Sequence, residues 1–290
     1  MFKKMLICID PFPPDLGLLA CAASLKQAGA EEAVLAHIIV SDAPGLEKML
    51  VAQAEPEMER QRNILEEAGL RVTIEMPVGY PAKELYELAE HHDASVMVIG
   101  SHGRGFLESM SLAASALGNV SAKLLHIARR PVLLIRTGRT SAKETERQCP
   151  LFTRILFPTD FSDTGEIALA YLENLVRAIH CPVALLHVQD RSRPAPHPPH
   201  RIPQLQNLAQ NRLQRMKLWL EQAGAPRVDI ELAHGEPGAE IIRQAGLKEC
   251  TLILMGSQGK GITREMLFGS VAHHVARHAE QPVLFIPALR

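Results

Sequence analysis

No apolar run in the sequence approaches the roughly 20 residues that a helix needs to cross a bilayer. The N-terminal MFKKMLICID also meets an aspartate before a signal-peptide core develops. Both absences lead us to expect a cytoplasmic protein that does not insert into membranes. Neither sign of charge is in excess: 31 Lys and Arg stand against 32 Asp and Glu, a net charge of −1. There is thus no broad field to gather nucleic acid or an acidic membrane. The sequence has no nucleophile elbow, no Walker A run, no HExxH and no paired-carboxylate arrangement, so no catalytic residue is assigned and no enzyme is expected. Close cysteine pairs are missing too. Cys8, Cys21, Cys149, Cys181 and Cys250 are odd in number and lack CxxC spacing, and we expect reduced thiols. The alternative, a redox switch, needs an exposed low-pKa thiol, and Cys8 lies in an apolar strand-like run.

What remains is an ordinary globular composition, 47% hydrophobic and 22% charged over 290 residues. At about 150 residues per domain, that length suggests two domains. An internal repeat supports the same count. MLICID at Met5 to Asp10 matches RILFPTD at Arg154 to Asp160. VLAHIIV at Val34 to Val40 matches VALLHVQ at Val183 to Gln189. VGYPAKEL at Val78 to Leu85 matches HGEPGAEI at His234 to Ile241, VMVIGSHGRG at Val96 to Gly105 matches LILMGSQGKG at Leu252 to Gly261, and RRPVLLI at Arg129 to Ile135 matches EQPVLFI at Glu280 to Ile286. The order never changes, and the offset runs from 150 residues at His37 and His187 to 156 at Gly100 and Gly256. Two domain-sized copies indicate a duplication, not a solenoid.

Within each copy, short Val, Ile and Leu runs alternate with segments whose apolar residues recur every three or four positions. Runs such as PVLFIP are apolar throughout, as in a parallel sheet covered on both faces. The expected fold class is α/β: two tandem doubly wound domains, each a five-stranded parallel sheet with helices on both faces. We place domain 1 at residues 1–139, a linker at 140–150 and domain 2 at 151–290. After Asp160, Ile167, Leu169, Leu172, Leu175, Val176 and Ile179 form a helical stripe. Asp163 and Glu166 stand at capping-box spacing, and Ser162 is an alternative cap. The proline-rich stretch Arg191 to Pro203 reads as an extended loop before a helix over Leu205 to Leu220; a polyproline ligand is the alternative.

In copy two, an apolar strand runs into Gly256, Ser257 and Gly259, and after nine intervening residues Gly269-Ser270 open a helix. Glycines let backbone N–H groups approach a polyphosphate, and a helix N-terminus adds unsatisfied donors. The spacing puts Ser270 at the helix N-cap. The plain alternative is that these glycines make tight turns after a parallel strand.

PTDFS at Pro158 to Ser162, LLHV at Leu185 to Val188 and the G-x2-G-x9-G-S run at Gly256 to Ser270 together resemble the universal stress protein family in its ATP-binding branch. That fold is akin to the adenine nucleotide alpha hydrolases. The resemblance covers nearly the whole chain. It implies that Pro158, Thr159 and Asp160 lie at the nucleoside and that the Val188 backbone lies against adenine. It further implies Gly256, Ser257, Gly259, Lys260, Gly269, Ser270 and Val271 at the phosphates. ATP is the implied ligand, with Mg²⁺ or Mn²⁺, though no metal ligand is directly assigned. The implied role is a stress-response or signalling factor. Family domains commonly pair through the last strand, so an internal pseudo-dimer through PVLLI and PVLFI, a homodimer and protein partners are further expectations.

Copy one departs from the pattern. Asp10, Gly100 and Gly103 are in place, but the next glycine that could open a helix, Gly118, follows Gly103 after fourteen residues, and Asn119 replaces Ser270. We expect the longer segment to displace the helix N-terminus, leaving a weak or degenerate site. Of thirteen histidines, His274 and His278 share a helix face but lack further zinc ligands, and with His273 they read as surface or interface residues. His37 and His187 read as satisfied core or pocket residues. Two other readings are an interaction protein with vestigial glycines and an adenylyl-transferring enzyme; the second needs an HIGH-like or PP-loop motif, which is absent.

Overall fold

The computed structural model describes residues 1–12, 14–41, 43, 45–101, 117–136, 149–190, 202–260 and 268–288. Its contacts divide the chain into two compact units, Met1–Pro150 and Leu151–Arg290. Gly103, most of the polar break after Ile135 and Arg191 to Arg201 lie outside the described residues.

Unit 1 alternates strands and helices: β1 (Lys4–Cys8), α1 (Leu16–Ser24), β2 (Glu32–Ala36), α2 (Leu46–Glu67), β3 (Arg71–Glu75), α3 (Pro81–His91), β4 (Val96–Gly100), α4 (Asn119–Ile127) and β5 (Val132–Ile135). Its strands pair in parallel in the order β3-β2-β1-β4-β5. Unit 2 repeats this with β6 (Ile155–Pro158), α5 (Asp163–Ile179), β7 (Val183–Asp190), α6 (Ile202–Gln222), β8 (Val228–Gly235), α7 (Pro237–Leu247), β9 (Leu252–Gly256), α8 (Ser270–His278) and β10 (Val283–Ile286). Its order is β8-β7-β6-β9-β10, again parallel. The chain reverses direction across each sheet at the first strand. Right-handed crossovers therefore send helices to opposite faces and leave a crevice at the carboxyl ends of β1 and β4, and of β6 and β9.

Burial explains the uninterrupted apolar strands: Leu6, Ile7, Leu156, Phe157 and Leu254 are fully covered. Helix α5 packs Ala168, Leu169, Leu172, Leu175 and Val176 inward, while Ile167 and Ile179 are only half-buried, so the stripe is narrower than its spacing suggests. Ser162 is its N-cap, accepting the Gly165 N–H at 3.2 Å. Helix α6 starts at Ile202, earlier than expected. Pro203 sits in its first turn, where backbone N–H groups have no intrahelical partner to lose. No helix among the described residues is long and apolar enough to cross a membrane.

The cysteines correct our expectation of five free thiols. Cys21 on α1 is disulfide-bonded to Cys149, 128 residues away. The Ser24 hydroxyl, one turn further on, donates to the Cys149 carbonyl at 2.6 Å. The fold returns the chain beyond β5 to the end of α1, a proximity that sequence spacing does not encode. Cys8, Cys181 and Cys250 are free. Burial pushes their thiols up, Cys181 to about 11, so they are poor nucleophiles.

Candidate functional site

The carboxyl end of β6 is where the two units differ. In unit 1, the β1–β4 ladder runs through four pairs, from Met5↔Val96 to Cys8↔Ile99. In unit 2, the equivalent β6–β9 ladder stops after Ile155↔Leu252 and Leu156↔Ile253. The residue at the Cys8 position is Pro158, which has no N–H to give to a ladder. The ladder bonds therefore end at Leu156, at the switch point between the two strands.

The chain turns sharply at the mouth of this crevice. Thr159 Oγ1 accepts the Phe161 N–H at 3.0 Å, and Asp160 Oδ1 accepts the Ser162 N–H at 3.0 Å. These two side-chain turns hold Phe161 in the left-handed region at φ 58°, an uncommon conformation for a bulky residue. The other carboxylate oxygen, Asp160 Oδ2, accepts the Lys260 backbone N–H at 2.9 Å, spanning from the β6 turn to the loop after β9. A Cβ on Gly259 would lie 2.6 Å from Oδ2, so this close approach requires glycine.

Further along that loop, Ser257 is buried and donates its N–H to the Ile286 carbonyl at 2.8 Å. Its own carbonyl accepts the Gly269 N–H at 2.8 Å, which anchors the start of α8 beside the loop. Gly269 is the N-cap, and Ser270 is the first helical residue rather than the cap we expected. Helices α5 and α7 are capped by the Ser162 and Glu236 side chains, and both carry acids in the first turn. Helix α8 has neither a side-chain cap nor a first-turn acid. Its leading N–H groups, those of Ser270 and Val271 included, are thus available to an anion.

Val188 is half-buried on β7, in register with Ala233. One residue earlier, His187 donates Nδ1–H to the Thr159 carbonyl at 2.8 Å, which leaves Nε2 as an acceptor. Its ring stacks obliquely on Phe161, with centroids 4.6 Å apart. Burial holds the imidazole below its ordinary range. The Lys260 and Arg212 cations push the same way, against the Thr159 bond and the Asp160 charge. The Arg212 guanidinium, from α6, lies 5.2 Å from the Phe161 ring centroid, and Lys260 Nζ lies 5.7 Å from it. Sequence reasoning gave no role to Phe161, although it sits inside the quoted PTDFS, and it did not consider Arg212, whose position on a polar helix face carries no signal.

The structure thus brings Thr159, Asp160, Gly259, Lys260, Ser257 and Gly269 together around one strand-end crevice. In unit 1, Asp10 makes the same kind of local bond as Asp160, Oδ1 accepting the Phe12 N–H at 3.3 Å. The Gly100 carbonyl accepts the Ser121 hydroxyl at 2.6 Å. Gly118 caps α4, with Asn119 as the first helical residue, and its N–H donates to the Ser101 carbonyl at 2.8 Å. This corrects our expectation of a displaced helix: Gly118 and Ser101 keep the same bond as Gly269 and Ser257, so the anchor is retained. Among the described residues no three His, Cys, Asp or Glu side chains cluster to hold a metal. His274 and His278 stack on each other at 4.4 Å.

Comparison with known proteins follows the repeat. The Universal stress protein family profile matches residues 1–136 and again 151–287. The chain belongs to the universal stress protein family. It carries two tandem family domains. It is 30% identical over 155 residues to Universal stress protein MJ0577 of Methanocaldococcus jannaschii, an overlap of 47% of this chain and 95% of that protein. A universal stress protein of Mycolicibacterium smegmatis is 25% identical over 266 residues, 87% of this chain and 85% of its own. The crystal structure of a universal stress protein from Archaeoglobus fulgidus DSM 4304 superposes with a TM-score of 0.76 at 23% identity, covering 99% of both chains, and shares the fold.

Proposed function

We propose that unit 2 binds ATP, with Mg²⁺ or Mn²⁺, and that the protein acts through this binding as a stress-response or signalling factor rather than as an enzyme. One observation carries the reading. At the switch point between β6 and β9, where Pro158 ends the ladder, the Asp160 carboxylate, the Gly259–Lys260 backbone and the uncapped start of α8 meet at the strand ends.

Each group has a part. The Asp160 oxygens each accept one backbone N–H and retain lone pairs for ribose hydroxyls or a cation. The Val188 backbone, at the end of the neighbouring strand, supports the base. Gly256, Ser257 and Gly259 bring main chain close to the phosphates, which also take the Ser270 and Val271 N–H groups and the Lys260 ammonium. A single carboxylate suits a hard cation that draws most of its ligands from phosphate and water. When bound, such a cation neutralises charge between phosphates. We assign no general base at the site.

Calorimetric titration with ATP and Mg²⁺, comparing wild type with Gly269→Val, tests this. The valine adds bulk at the mouth of α8, and binding should be lost while the fold is kept. A folded wild type that takes up no ATP would overturn the reading and favour a ligand-independent interaction protein.

A further inference from the structure

We infer that Arg212, on α6, works with Lys260 as a two-cation clamp seated on the Phe161 ring, and that this clamp selects the polyphosphate tail of a bound nucleotide over shorter phosphate chains. The inference rests on the nucleotide reading of unit 2 and extends it to a residue outside the motif.

The geometry is specific. Two cations from two elements, the middle of α6 and the loop after β9, converge on one aromatic ring, at 5.2 Å for the guanidinium carbon and 5.7 Å for the ammonium. The ring cannot swing freely, because Phe161 is fixed between its side-chain turn and the His187 imidazole. Among the described residues, neither Arg212 nor Lys260 forms an ion pair, although α6 pairs its Lys217 with Glu221 one turn further on. The carboxylate beside them, Asp160, already accepts a backbone N–H on each oxygen.

Gathering two like charges around a ring and a neutral imidazole costs energy, which cation–π attraction offsets only in part at exposed positions. An anion with several charged oxygens relieves that cost. A polyphosphate fits best, since it can start at the α8 N-terminus and extend toward both cations. On this reading a mononucleotide, held at α8, ends short of the clamp. Arginine suits this role because its planar fork engages two phosphate oxygens while its face stays on the ring.

The test is calorimetric titration of ATP, ADP and AMP into wild type, Arg212→Ala and Arg212→Lys. Arg212 is exposed, so neither variant should affect folding, and circular dichroism will verify this. Losing one charge-assisted contact should weaken ATP about tenfold and leave AMP within about twofold, with ADP between. The lysine variant should recover part of the ATP affinity, and the salt dependence of ATP binding should be shallower in Arg212→Ala. Equal losses for ATP and AMP, or none for ATP, would overturn the clamp while leaving nucleotide binding intact. If wild type takes up no nucleotide, inorganic tripolyphosphate decides the matter separately. Binding that weakens in Arg212→Ala sustains a polyphosphate clamp without the nucleoside, and absence of binding removes it.

Discussion

Asp160 accepts the backbone N–H of Lys260, 100 residues further along the chain, at 2.9 Å. The carboxylate thereby fixes the glycine loop before any ligand arrives. This arrangement leaves no room for a side chain at Gly259, where a Cβ would stand 2.6 Å from Oδ2. Asp160 is short and held by the Ser162 N–H as well, so it cannot move aside without giving up a bond. Gly259→Ala should separate the loop from Asp160, lowering ATP affinity about tenfold with little change in melting temperature. Titration and thermal denaturation of the same variant check both halves. A variant that binds as tightly as wild type would show that the contact does not shape the site.

The repeat made most of the fold legible. Strand runs such as PVLLI and PVLFI, and the apolar spacing after Asp160, are local patterns whose period the backbone obeys directly. The glycine loop was legible for the same reason, since strand, turn and helix start lie within fifteen residues. Other features depend on distances that only the folded chain creates. Nothing near Cys21 or Cys149 signals their bond. Arg212 becomes a neighbour of Phe161 only once α6 has packed along β7 and β8. The equivalence of Gly118 and Gly269 was hidden because spacing counts residues, whereas a loop of any sufficient length can join the same two anchors.

His187 links the site to pH. Burial, followed by the nearby cations, sets its folded pKa below the unfolded value of about 6.5, so the folded protein resists a proton that the unfolded chain accepts. Its contribution to stability is therefore intact above about pH 6.5 and is lost as the pH falls through that value toward the folded pKa. Urea unfolding between pH 8 and pH 5 should show stability declining on the acid side. His187→Gln keeps a donor for the Thr159 carbonyl without titrating, and should flatten that decline. An unchanged slope in the variant would assign the acid sensitivity elsewhere.

The Cys21–Cys149 bond closes a long stretch of unit 1, so its main effect should be on the unfolded chain, whose freedom it restricts. Reduction should lower the stability of unit 1 by about 2 to 4 kcal/mol. Cys21→Ser with Cys149→Ser should reproduce the reduced protein and remove any response to reductant. Thiol counting under denaturing conditions should find three free groups before reduction and five after. Five free thiols in the untreated protein would mean that the bond does not form under those conditions.

Unit 1 keeps the helix anchor, so loss of the anchor cannot be what separates the two copies. Among the described residues one difference lies in the sheet, where Cys8 continues the ladder to Ile99 while in unit 2 it ends at Leu156, two pairs earlier. In unit 1 the ladder bonds run on to the strand ends, which leaves fewer unpaired main-chain groups there for a nucleoside. We therefore expect one ATP per chain. Gly118→Val should leave both stoichiometry and affinity unchanged, whereas Gly269→Val abolishes binding. Two equivalent sites in the wild-type titration, or a loss of half the binding in Gly118→Val, would show that the open ladder of unit 2 is not what admits the nucleotide.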